Sequence, residues 1–185
     1  MQTYVEPPLT VESLEAAPDD GNRYEVIEGE LYVSSAPSYL HQRFLHRLEV
    51  ALQRYLDEHP IGELLPGVGV IFDDLNGVIP DLIFVSNQRR EQTLAGGRLM
   101  GAPEICIEIL SPGPSNQRRD REVKRKLYMS HGVEEYWIVD SDAHTFEVHR
   151  PGKTSIIVSG NQALTSPLLP GFNVAVSSLF PETSR

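Results

Sequence analysis

Three charged side chains in the middle of this sequence sit where charge is costly, and together they could do chemistry. Asp81 follows Pro80 in an otherwise apolar run, residues 79–85. With the two-residue period of a strand, it shares a face with Ile83 and Val85. Glu108 lies inside a second apolar run, residues 104–110. Alternation there puts Ile105, Ile107 and Ile109 on one face, and Glu104, Cys106, Glu108 and Leu110 on the other. The third is Lys124, in a segment of helical spacing. Advancing about 100° per residue, it falls in one arc of roughly 140° with Asp120, Val123, Leu127, Tyr128 and His131. Arg118, Arg121, Glu122, Arg125 and Lys126 fall outside that arc, so Lys124 points with the apolar stripe.

Taken singly, each has an ordinary explanation: a turn aspartate, an edge-strand glutamate, a snorkelling lysine paired with Asp120 one turn away. Taken together they form a compact set. Two hard oxygen ligands at the same end of adjacent strands suit Mg²⁺, with water and a substrate phosphate filling the other positions. A nearby ammonium can orient or deprotonate the attacking water and offset charge at phosphorus. The chemistry is metal-dependent phosphodiester hydrolysis.

The elements that must position these residues are legible in outline. A short helix is expected over residues 10–15, with Thr10 as its cap, followed by a turn over 18–22. Two strands, 24–27 and 30–34, flank Glu28-Gly29. Leu40, Phe44, Leu48, Ala51, Leu52, Tyr55 and Leu56 give residues 38–58 the period of the longest helix, ended by Pro60 and Gly62. Strands are expected over 64–72 and 79–85, joined by residues 73–77, and residues 88–99 read as a weak polar helix or loop. The strand 104–110 ends at Ser111-Pro112-Gly113-Pro114. A helix over about 115–131, closed by Gly132, leads into strands 135–140, 145–149 and 155–158. The remainder reads as irregular, with a short helix near Ser178. Strands flanked by a few helices mean an α/β (α+β) fold.

The chain has 185 residues, 40% of them hydrophobic and 23% charged, which suits one soluble globular domain over residues 1–185. No stretch is apolar and long enough to span a membrane, so no membrane partner is expected. The opening MQTYVEPPLT lacks the basic and apolar regions of a secretory signal. One cysteine, Cys106, excludes a disulfide framework and a cysteine zinc cluster within the chain, and a reducing cytoplasm is the expected compartment. A net charge of −10 argues against non-specific coating of nucleic acid. Yet residues 116–126 carry six basic side chains against two acidic ones, which makes that segment +4 and the rest −14. Such a ridge suits a selective polyanion contact or a merely solvated helix face.

Pro80-Asp81 followed by Glu108 resembles the PD-(D/E)xK nuclease superfamily. There the lysine usually comes two residues after the glutamate, where this chain has Leu110. In one branch, the bacterial restriction-endonuclease family called Uma, the lysine sits on the following helix. Residues 101–112, 120–128 and 132–140 are similar to that branch, as are residues 23–31 and the pair His41-Gln42. The resemblance covers about residues 23–150. It implies a restriction-endonuclease-like core, a mixed central β-sheet flanked by helices. It implies Asp81 and Glu108 as metal ligands, helped by the main-chain carbonyl of Ile109, and Lys124 in the displaced lysine role. It implies Mg²⁺, with Mn²⁺ able to substitute, and DNA cleaved to a 5′-phosphate by a homodimer. Arg118, Arg119, Arg121 and Arg125 would contact the DNA backbone. Glu25 and His41 match family positions without an assigned chemistry; His41 reads as a helix N-terminal or surface histidine.

Two other classes remain open. A nuclease-fold protein without activity could bind nucleic acid or a protein partner. The acid pair could also serve glycoside hydrolysis, which wants a proton-bearing acid and a sugar platform.

Overall fold

The computed structural model describes residues 7–180. Its centre is a six-stranded mixed sheet in the order β12-β11-β10-β9-β6-β3. These strands are β3 (Gly62–Pro66), β6 (Leu82–Ser86), β9 (Ile105–Ile109), β10 (Glu135–Asp140), β11 (Thr145–His149) and β12 (Ile156–Ser159). Only the β9–β10 pair is parallel. A second six-stranded sheet runs β2-β1-β5-β4-β8-β7. It comprises β1 (Arg23–Ile27), β2 (Glu30–Ser34), β4 (Val70–Asp73), β5 (Asn76–Val78), β7 (Leu94–Ala95) and β8 (Arg98–Met100).

Alternation along the central strands builds two cores. Leu82, Phe84, Ile105, Ile107, Ile109, Trp137 and Val139 face α1 (Tyr39–Glu58). That helix turns Phe44, Leu45, Leu48, Leu52 and Leu56 onto them, an i, i+4 stripe. Ile83, Val85, Cys106, Tyr136 and Ile138 face the other way. They pack with Ile27, Val70 and Val78 of the second sheet and with Leu127 and Tyr128 of a helix described below. The β1–β2 hairpin turns tightly because Glu28 and Gly29 both adopt positive φ, the two-residue turn whose twist matches its strands.

The mixed α+β class and the helix-flanked mixed sheet agree with expectation, but several boundaries do not. Residues 64–72 form two strands in different sheets, not one. Gly67 (φ +60°) breaks them, and hydrophobicity alone does not reveal a strand that changes sheets. The connection expected over 73–77 contains β5. The strand expected from Ile79 begins at Leu82. Residues 88–99 divide into α2 (Asn87–Thr93) and the β7–β8 hairpin. The C-terminal stretch expected to be irregular forms a hairpin of β13 (Ala163–Ser166) and β14 (Leu169–Ala175), followed by a short helix over Val176–Leu179. Residues 11–16 make a 3₁₀ turn in which Thr10 gives no side-chain cap. The opening segment read for a signal lies mostly outside the described residues.

Candidate active site

The acids come together through strand register. β6 and β9 pair antiparallel with Leu82 opposite Ile107 and Ile83 opposite Cys106. Carrying that register one step beyond Leu82 sets Asp81 opposite Glu108, on the face of Cys106 and Ile83. The ladder ends at Leu82, two residues after Pro80, which has no N–H to give. The Asp81 carboxylate takes over: its Oδ2 accepts the Ile109 N–H at 2.9 Å. Arg23 of β1 donates to Asp81 Oδ1 at 2.7 Å. His41, in the first turn of α1, places Nε2 3.2 Å from the same oxygen, off line for a hydrogen bond and without another partner.

The lysine arrives by an unusual local structure. Between α3 (Pro114–Arg118) and α4 (Arg125–Ser130) the helix widens to a π turn over Arg119–Lys124. Such a turn bonds i to i+5 and leaves a carbonyl free. Tyr136 adds a donor to this turn, its hydroxyl reaching the Asp120 carbonyl at 3.0 Å. Asp120 and Lys124 face inward, and the wider turn carries Arg119 partly with them, where an α-helix would swing Arg119 away. Lys124 Nζ donates to Glu108 Oε1 at 2.8 Å and to Glu25 Oε1 at 2.9 Å. Because Glu25 belongs to β1 and Glu108 to β9, this one ammonium ties the two sheets together.

Burial dominates the electrostatics. It pushes the Asp81 carboxyl up, but the facing His41, the Ile109 N–H and Arg23 outweigh it and bring it down to about 2. Burial pushes Glu108 up to about 8; Lys124 opposes the rise, while Asp81, Asp120 and Glu25 add to it. Burial would lower Lys124, yet Glu108, Glu25 and Asp120 raise it above the ordinary lysine range. Burial also raises Asp120, against the pull of Lys124 and Arg119. Asp81 is therefore held ionised and Lys124 held cationic.

These groups line a pocket of about 30 Å³, room for an ion or a water. Four carboxyl groups (Glu25, Asp81, Glu108, Asp120) face three cationic side chains (Arg23, Arg119, Lys124), so the pocket is short of positive charge once the raised Glu108 and Asp120 ionise. Both Lys124 and the Tyr128 hydroxyl donate to Glu108 Oε1, each at 2.8 Å, and among the described residues Oε2 takes no hydrogen bond. An oxygen-only donor pair with an unbonded carboxylate oxygen fits a hard divalent cation. Among the described residues no group of three or more His, Cys, Asp and Glu side chains is arranged to hold an ion. Mg²⁺ suits the two-carboxylate arrangement, since it keeps waters and takes substrate phosphate. No aromatic ring other than the His41 imidazole lines the pocket, so it offers no sugar platform.

Of the residues read from the sequence, Asp81, Glu108 and Lys124 meet in this pocket. The ordinary explanation of Lys124, an ion pair with Asp120, is not what forms: Asp120 pairs with Arg119 at 3.1 Å and Lys124 with the two glutamates. The four arginines separate. Arg119 turns to the pocket rim and donates to Ser34 Oγ at 2.6 Å. Arg121 pairs with Asp140 and Glu147. Arg118 and Arg125 are exposed, Arg118 in a surface pair with Glu122. Sequence reasoning gave Glu25, His41, Arg23 and Tyr128 no chemistry, although the arc containing Lys124 already held Tyr128. The first three act across 99, 40 and 58 residues, distances no local pattern spans.

A family model described as "Uma2: Putative restriction endonuclease" matches residues 11–177. The fold is shared with the crystal structure of a "putative nuclease belonging to DUF820" from Anabaena variabilis. That chain is 21% identical, with a TM-score of 0.79 over 94% of this chain and 98% of the other. No curated protein matches the chain.

Proposed function

Because this chain belongs to the Uma2 restriction endonuclease family, we propose that it is a Mg²⁺-dependent DNA endonuclease that hydrolyses phosphodiester bonds at Asp81, Glu108 and Lys124. The observation that carries this reading is the contact of Lys124 Nζ with Glu108 Oε1, in the pocket that Asp81 also lines. Asp81 and Glu108 would hold Mg²⁺, or Mn²⁺ in its place, with the Ile109 carbonyl beside them. When bound, the ion would polarise the phosphoryl oxygen and lower the pKa of the attacking water.

The chain's own groups set the rest. Arg23 and the Ile109 N–H fix the Asp81 carboxylate from two sides. Lys124 and Tyr128 hold one oxygen of Glu108 and leave the other for the metal. Lys124, kept protonated by three carboxylates, acts as a donor and a positive charge at the phosphoryl group rather than as a base. Arg118 and Arg125, on the solvent side of the helix, steer the DNA backbone, for which a weak surface ion pair is readily exchanged.

A homodimer, which would bring two such sites to one DNA molecule, belongs to this reading and is tested by a solution mass near twice 20.7 kDa. Among the described residues no helix is long and apolar enough to cross a membrane. The buried thiol of Cys106, pushed up by burial, suits work in the reducing cytoplasm. The test of the activity is nicking of supercoiled plasmid titrated with Mg²⁺. Nicking that rises with Mg²⁺ and stops in EDTA is expected. Absence of nicking with every divalent ion would leave the nucleic-acid- or protein-binding alternative.

A further inference from the structure

A second cleft lies against the acid pocket and is far larger. It encloses about 260 Å³, near the lower end of small-ligand pockets. Arg23 and Ile79 line both cavities, so Arg23 is the wall between them. Val11 and Leu14 of the 3₁₀ turn form one apolar side and Ile71 of β4 the other.

The charge around this cleft is one-sided. Arg23 and Arg98 line it and, among the described residues, no carboxylate does, in a chain of net charge −10; Arg23 is already paired with Asp81, so Arg98 carries the uncommitted charge. Arg98 opens β8 just after the Gly96–Gly97 turn, where both glycines have positive φ. Its stem runs over Gly69, whose added Cβ would stand 3.6 Å from Arg98 Cγ. Among the described residues Arg98 makes no ion pair and no side-chain hydrogen bond, so nothing in the fold employs its charge.

We infer that this cleft takes the unpaired base of the nucleotide next to the phosphodiester held at Asp81 and Glu108, which makes single-stranded or locally opened DNA the substrate; the inference rests on the nuclease reading of the acid pocket. Apolar walls suit the faces of one base, and the volume is too small for a pair. Arg98 suits the phosphate on the far side of that base. Arg23, already bonded to Asp81, spans the step from phosphate to base.

The test is fluorescence anisotropy of a short labelled single strand and its duplex in EDTA, where no cleavage interferes. The wild type is expected to bind the single strand about tenfold or more tighter than the duplex, the scale of one stacked base. Leu14→Trp, which fills the cleft, and Arg98→Glu, on the exposed hairpin, are each expected to remove most of that preference. Arg98→Glu keeps the test valid if Leu14→Trp does not fold. Equal wild-type affinities, no binding of either probe, or a preference kept in both variants would overturn the inference. Cleavage in Mg²⁺ is scored separately. A protein that prefers the single strand but never cuts would sink the nuclease reading alone, and one that cuts without the preference would sink the cleft alone.

Discussion

Lys124 Nζ and Glu108 Oε1 lie 2.8 Å apart in the interior, one from a widened helical turn and the other from a strand sixteen residues earlier in the chain. Leu110, two residues after Glu108, packs into the core with Leu127 and Tyr128. The ammonium therefore reaches the acid from the helix side while the strand position stays apolar.

Lys124→Met is expected to keep the packing and lose the charge. Two glutamates would then be buried without their cation, and breaking such a pair costs roughly 3–5 kcal/mol. Urea unfolding measures that loss. Turnover at saturating Mg²⁺ is expected to fall about 10²-fold or more, the scale for removing a group that stabilises developing charge. Mg²⁺ affinity, measured by calorimetry, is expected to stay nearly intact, because lysine is not a ligand. Wild-type turnover would remove Lys124 from the mechanism.

Tyr136→Phe tests the π turn. It deletes the hydroxyl that donates to the buried Asp120 carbonyl, at about 0.5–1.5 kcal/mol. Turnover is expected to drop about tenfold, as Lys124 loses the turn that aims it. A variant as stable and active as wild type would show that the turn holds without this bond.

Arg118 and Arg125 are exposed and Arg121 is tied to two carboxylates. Arg125→Ala is expected to weaken DNA binding uniformly across sequences and to lower the slope of log K against log salt by about 1. Arg121→Ala is expected to leave that slope unchanged and to cost stability instead. Salt-dependent binding isotherms decide between them.

Glu147 gives a pH signature away from the acid pocket. Contact with His149, 3.6 Å away, and the charge of Arg121 lower its pKa below the ordinary 4.5, against a smaller rise from burial. A carboxyl lowered in the folded state stabilises above its unfolded value and loses that contribution as pH falls through the folded one. Stability is therefore flat in this term near neutrality and declines below pH 4.5. Glu147→Gln is expected to flatten the acid limb by about 0.5 kcal/mol, given the partial exposure of the site. Unfolding midpoints from neutral pH to pH 3 measure this, and an unchanged acid limb would contradict it.

Strand periodicity made the two acids and their shared face readable, since Ile105, Ile107 and Ile109 pack on α1 while Cys106 packs opposite. The helical arc made the inward lysine readable, even though the turn proved to be π, because Asp120 and Lys124 face inward in either geometry. Arg23, Glu25 and His41 were not readable as partners. Their contacts depend on how the second sheet and α1 seat against the first, which local spacing does not encode. The change of sheet after Pro66 was hidden for the same reason: an apolar run looks alike whether one sheet or two share it.

The most direct measurement is plasmid nicking by the wild type and by Asp81→Asn across a Mg²⁺ titration. Nicking by the wild type that requires Mg²⁺, with Asp81→Asn at least about 10²-fold slower at every concentration, is the expected result. Nicking that continues in EDTA, or that Asp81→Asn performs at the wild-type rate, would contradict a metal-assisted hydrolytic site at Asp81, Glu108 and Lys124.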